Sequence, residues 1–196
     1  MMKNYWFTSD EHYLHFNIIK LCKRPFESLG HMHNVLIDNH NSVVKDEDDV
    51  YHLGDFSYKG RVEDVIEILN ELKGKHFFLF GNHDSALRHI VGNNSFKKWK
   101  FSDKFNFYGS CDPNETVIRT IYLQNKRIVL SHYALRTWQG AFRGSYHLFG
   151  HSHSNLPTLH RSMDVGVDGN NFFPYNLNEI IEKMEKVTEE FSEINQ

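Results

Sequence analysis

The chain has 196 residues, 40% hydrophobic and 14% aromatic, enough to bury a substantial core in one domain spanning residues 1–196. Its 22 Lys and Arg against 25 Asp and Glu give a formal charge of -3, which argues against a broad electrostatic surface for nucleic acid. Two cysteines exclude a dense disulfide framework, no stretch approaches a membrane span, and MMKNYWFTSDEH does not read as a secretion signal, so a cytoplasmic protein without a membrane partner is expected.

NYWFTS (4–9) reads as a first strand with Asp10 at its exit. Residues 27–40 fit a helix with Met32, Val35 and Leu36 on one face. VYHLGD (50–55) approaches an acidic turn, and RVEDVIEILNELKG (61–74) carries a helical stripe with Gly74 as a stop. KHFFLFGNHD (75–84) then gives a strand with a polar exit. Strand, helix, strand in this order predicts an α/β domain with crossover connections.

The second half is richer in strands: NFYGS (106–110), TVIRTIYL (116–123), KRIVLSH (126–132), YHLFGHSH (146–153) and SMDVGV (162–167). Asn125 and Lys126 are expected to turn a hairpin between the second and third of these. A terminal helix at about 177–193 presents Ile180, Ile181, Met184, Val187 and Phe191 as its apolar stripe, its charged remainder reading as a solvated face.

Five apolar runs end in metal-ligating residue types. SDEH carries Asp10 and His12, LGD carries Asp55, GNHD carries Asn82, His83 and Asp84, LSH carries His132, and FGHSH carries His151 and His153. Ligands in open α/β sheets gather beyond the strand ends. Residues two apart in an extended segment point the same way, so Asp10 with His12, and His151 with His153, are expected to face one cavity in pairs. Imidazole, carboxylate and amide together favour a transition metal over Mg²⁺; seven of these nine groups, His83 and Asp84 set aside, suit two divalent ions sharing Asp55 better than one, with Mn²⁺ leading and Fe, Zn²⁺ or Ni²⁺ as alternatives.

The ordered series Asp10-Glu11-His12, Gly54-Asp55, Gly81-Asn82-His83-Asp84, Ser131-His132 and Gly150-His151-Ser152-His153 resembles the calcineurin-like metallophosphoesterases over about residues 8–168. The resemblance implies a four-layer αββα sandwich, two mixed β-sheets flanked by helices with metals at one edge. It implies one ion on Asp10, His12, Asp55 and His153, and another on Asp55, Asn82, His132 and His151. His83 would stand outside the ligand set and meet the phosphate or its leaving group as the catalytic residue. GDFSY lacks the acidic and arginine residues of the longer GDxxDRG pattern, which weighs against a protein substrate.

The expected activity is hydrolysis of a small phosphodiester or phosphomonoester such as a nucleotide. A nuclease ranks below it for want of positive charge, and a non-catalytic metal-stabilised scaffold or a redox protein is less consistent with His83. His15, Asn17 and Arg24 follow the first metal turn and are candidates for binding substrate, with a fold-stabilising ion pair as the competing role for Arg24 and a helix cap for Asn17. Asp84 reads as a cap before ALRHI or a group orienting His83 or a neighbouring loop, and Asp168 as an orienter of its own loop. Tyr133, Arg136 and Trp138 are alternatives for a substrate wall. His31, His33 and His40 lack paired ligand spacing.

Overall fold

A computed structural model of the chain describes residues 3–92, 102–110 and 112–194. Among the described residues, nine strands form two mixed sheets. The first, in the order β4-β3-β2-β1-β9, contains β1 (Tyr5–Thr8), β2 (Asp49–His52), β3 (Lys75–Leu79), β4 (Phe105–Tyr108) and β9 (Tyr175–Asn176). β1 to β4 run parallel, and only β9 is antiparallel to its neighbour. The second sheet, β5-β6-β7-β8, contains β5 (Ile118–Leu123), β6 (Lys126–Ser131), β7 (Tyr146–Phe149) and β8 (Ser162–Asp164). Here β6, β7 and β8 are parallel and β5 returns antiparallel.

Strand alternation distributes the apolar residues into two cores. Phe7, Tyr51, Leu53 and Leu79 of the first sheet meet Ile128, Leu130, Tyr146 and Leu148 of the second, which makes the layer between the sheets. Phe78 and Phe80 turn to the opposite face and pack beneath α1 (Phe16–Leu21), α2 (Leu29–Val43), α3 (Val62–Glu71) and α4 (Ser85–Gly92). α5 (Leu177–Ile194) places Leu177, Ile180 and Met184 in the inter-sheet core and contacts β1, β8 and β9, closing the edge where the two sheets end. The expected sandwich of two mixed sheets with helices is the observed architecture. No helix among the described residues is long and apolar enough to cross a membrane.

Local chemistry moved several boundaries. α2 starts after Ser28, whose hydroxyl accepts the His31 N–H, and continues to Val43. α3 stops at Glu71 because Leu72 turns extended, so Gly74 (φ 104°) serves the entry to β3 instead. The hairpin turns on Gln124 and Asn125, both at positive φ, while Lys126 already pairs with Leu123. The short α1 and the two-residue β9 carry too few residues for a periodic signal. Phe191 of the expected stripe and Cys111 lie outside the described side chains; Cys22 is a free thiol.

Candidate metal centre

The parallel strands deliver their polar exits to one edge. Beyond β1 and β2 the ladder continues irregularly: the N–H groups of Asp10, His12 and Tyr13 donate to the carbonyls of Gly54, Asp55 and Phe56 at 3.0, 3.0 and 2.9 Å. The two turns therefore travel together. Asp84 attaches the third exit, its carboxylate accepting from the N–H groups of Asp55 (2.8 Å), Gly81 (2.8 Å) and Ser57 (3.2 Å). It thus stitches the loops of β2 and β3 rather than capping α4 or touching His83. The second sheet joins through His132, whose Nδ1–H donates to the Leu53 carbonyl (2.9 Å), and through the His151 N–H, which donates to both Asp10 oxygens (3.0 and 2.8 Å).

Two sets of donors are drawn from these exits, and Cys22, His153 and Asp168 make a further close group among the described residues. Asp10, His12 and His153 bring ligand atoms within 4.8 Å of one another, as do Asp55, His132 and His151. Asp55 Oδ2 sits between the sets, 3.6 Å from His12 Nε2 and 3.5 Å from His132 Nε2. Asn82 Oδ1 lies 3.1 Å from His132 Nε2. His83 stands at the mouth, its side chain 36% exposed, with Nε2 4.0 Å from Asp55 Oδ2 and its backbone N–H on Asp55 Oδ1 at 2.8 Å. The seven expected ligand residues and His83 are therefore gathered at one place.

The pairwise expectation is corrected in its cause and in part of its outcome. Asp10, His12, His151 and His153 lie past the strand ends at φ 59°, 55°, 66° and 46°, and Asp55 shares this left-handed conformation at 55°. They do not alternate along an extended segment. Asp10 and His12 still converge, whereas His151 and His153 part and join different sets. Five non-glycine residues at positive φ in one site is the kind of local strain that persists only where the surroundings over-determine it. Gly54 (φ 102°) and Gly81 supply the remaining room: a Cβ on Gly81 would fall 2.1 Å from Asp55 Oδ1 and 2.4 Å from its backbone nitrogen.

The donor set fits divalent cations. His12 Nε2 is buried, makes no hydrogen bond and faces Asp55. Burial raises the Asp10 carboxyl to about 7, against the pull of His132 and His153. Burial likewise lowers His12 to about 3, against Asp55. Burial would lift Asp55 too, but the hydrogen bond and charge of His132 outweigh it and hold it at about 2. A cation among these groups favours ionised carboxylates and neutral imidazoles together. The tautomers are set from behind: His132 gives its Nδ1–H to Leu53, and the Nδ1 of His153 lies 2.8 Å from Asp168 Oδ2, leaving each Nε2 for the centre.

Arg24 does not face a substrate. Its side chain is 0% exposed, and all its donors are engaged: Nε and Nη2 with the two Asp168 oxygens at 2.8 Å each, Nη2 with the Asp10 carbonyl at 2.7 Å, Nη1 with the Glu11 carbonyl at 2.9 Å and Met32 Sδ at 3.5 Å. A guanidinium so placed holds the metal turn and orients Asp168, and through it His153. His15 does lie at the site, Nδ1 3.3 Å from His12 Nδ1 and its ring stacked on Tyr58 at 4.0 Å. Asn17 is exposed in the first turn of α1, makes no hydrogen bond to the site among the described residues, and does not cap the helix, whose N-cap is His15. Tyr133, 38% exposed, touches the His151 ring (4.6 Å) and hydrogen-bonds Asn82 Oδ1 (3.2 Å), so it does wall the site. Trp138 instead stacks on His147, outside it. Sequence reading passed over Tyr58, and over Glu11 and His52 as anything beyond motif spacing; the His52 strand position reads as ordinary burial.

Residues 3–155 match the family model of the calcineurin-like phosphoesterases. An uncharacterized protein of Methanocaldococcus jannaschii is 31% identical over 193 residues, covering 94% of this chain and 93% of its own. The crystal structure of a protein of unknown function from Aquifex aeolicus, at 24% identity, superposes with a TM-score of 0.64 over 92% of this chain and 99% of that one, and shares the fold.

Proposed function

Since the chain belongs to the calcineurin-like phosphoesterase family and is a metal-dependent phosphoesterase, we propose that it hydrolyses a small phosphodiester or phosphomonoester, such as a nucleotide, at a dinuclear centre within one domain. Asp10, His12, Asp55 and His153 hold one divalent ion; Asp55, Asn82, His132 and His151 hold the other. The observation that carries this reading is the pair of donor sets meeting at Asp55. Mn²⁺ suits the mixed oxygen and imidazole donors best, with Fe, Zn²⁺ and Ni²⁺ as alternatives. Bound ions supply Lewis-acid polarisation of the phosphate and activation of water.

The protein's own residues do the rest. His83, half-exposed beside Asp55 and edge-on to Tyr58 at 5.0 Å, gives a proton to the leaving oxygen. Its loop is fixed by its own N–H on Asp55, the carboxylate that would serve both ions. His15, against His12 and His83, edges the substrate cleft on the α1 side, where exposed Asn17 is the further candidate for meeting substrate, and Tyr133 borders it beside His151. A cytoplasmic setting accords with the free Cys22 thiol.

The test is hydrolysis of matched aryl phosphomonoester and phosphodiester reporters with Mn²⁺, using wild type, Asp55→Asn and His83→Ala. Turnover absent in Asp55→Asn and reduced on the order of 10²-fold or more in His83→Ala is expected, and the reporter ratio gives the ester class. Turnover unchanged in Asp55→Asn would defeat the dinuclear reading.

A further inference from the structure

The turn that carries Asp10 and His12 is strained, and a buried polar chain stands directly behind it. Asp10, His12 and Leu14 take φ values of 59°, 55° and 67° within five residues. Each non-glycine residue held there costs on the order of 1 kcal/mol or more, so the turn needs anchors. Arg24 supplies one through the Asp10 and Glu11 carbonyls. The side chain between Asp10 and His12 supplies another: Glu11 is 4% exposed, and its carboxylate meets Thr8 and His52.

Glu11 Oε1 accepts the Thr8 hydroxyl at 3.2 Å and lies 2.7 Å from His52 Nδ1. His52 Nε2 lies 2.9 Å from Nδ1 of His76. The chain thus crosses from the β1 turn to β2 and on to β3. Both histidines are embedded in rings: His52 stacks on Phe78 at 4.3 Å, and His76 on Phe105 at 5.6 Å and on His40 at 5.6 Å. Glu11 Oε2 is buried without a hydrogen-bond partner, and a cavity of about 10 Å³, lined in part by Thr8, Glu11, Tyr13, His40 and His52, adjoins it.

An apolar residue at position 11 would satisfy burial, and leucine or phenylalanine at 52 or 76 would match the surrounding layer. A hydrogen-bonded acid and two imidazoles there do something packing alone does not: they fix the direction of one backbone turn. We propose that Glu11, His52 and His76 form a positioning chain that holds the Asp10–His12 turn in its metal-binding conformation. The proposal rests on the reading of Asp10 and His12 as ligands. Glu11, His52 and His76 touch no substrate; they act through the turn.

Mn²⁺ titration of the full chain by calorimetry, with amide hydrogen exchange of residues 10–14 in the metal-free protein, tests this. His52→Phe keeps the ring layer and removes the bond to Glu11, so it is the principal variant; Glu11→Gln is the conservative control, and Glu11→Ala the severe one. His52→Phe and Glu11→Ala are expected to weaken Mn²⁺ binding on the order of tenfold and to speed exchange at 10–14, while Glu11→Gln stays near wild type. Wild-type affinity and exchange in folded His52→Phe overturn the proposal alone, provided Asp55→Asn abolishes binding. Equal Mn²⁺ binding by wild type and Asp55→Asn, or none by either, overturns the metal-site reading and the positioning chain with it. If Glu11→Ala does not fold, His52→Phe still decides.

Discussion

Replacing Arg24 with methionine separates two roles that the sequence leaves open, fold-stabilising anchor and phosphate ligand. The substitution keeps the apolar stem of the side chain and deletes every polar contact of the guanidinium, that of Nη1 with Met32 Sδ included. Breaking a buried ion pair from one side costs about 3–5 kcal/mol. Asp168 retains His153 and 11% side-chain exposure, which favours the lower end of that range. The Asp10 and Glu11 carbonyls lose their donors as well, adding about 1 kcal/mol after relaxation. The sum is about 4 kcal/mol, or a fall in Tm of about 8–16 °C for a chain of this size. Urea titration of the metal-free protein, with Cm and m followed together, measures it. A loss under about 1 kcal/mol, accompanied by a raised KM for a phosphate reporter, would refute the anchoring argument and restore Arg24 as a substrate ligand.

Gly81→Ala should lower stability by about 1–3 kcal/mol and impair Mn²⁺ binding, because its Cβ collides with both the side chain and backbone of Asp55; calorimetry with wild-type affinity would contradict the proposed crowding. The metal-free protein should lose stability as pH rises between about 6.5 and 9, since burial would lower the His132 pKa but the hydrogen bond and charge of Asp55 outweigh it and raise it to about 9. The sign follows from that raised pKa: the stabilisation is complete below the ordinary histidine value of 6.5 and is lost on passing through about 9. Urea midpoints across this window should flatten in Asp55→Asn. Tyr133→Phe removes only the hydroxyl on Asn82, so a change of about 0.5–1.5 kcal/mol in Mn²⁺ affinity with an unchanged Tm is expected from paired calorimetry and melting curves.

The polar exits were readable from the chain because each follows a β-branched or aromatic run, and parallel topology sends such exits to one edge. The same periodicity located the long helices and most strands. It could not locate α1 and β9, whose six and two residues hold too few repeats. Nor could it see that His151 and His153 separate, because alternation describes extended backbone and these residues lie in left-handed turns beyond it.

Arg24 marks the limit more sharply. Its neighbours in sequence said that it follows the metal turn, but burial against Asp168, 144 positions away, made it an anchor. Glu11 and His52 are likewise separated by 41 positions and joined only by the register of β1 on β2. The sequence by itself determined which residues leave the strands, and hence the α/β class, the family and the chemical character of the donor set. Tertiary structure alone decided which donors lie together, which charges are buried and what holds the strained turns. Those depend on long-range pairing and desolvation, which the residue order does not express.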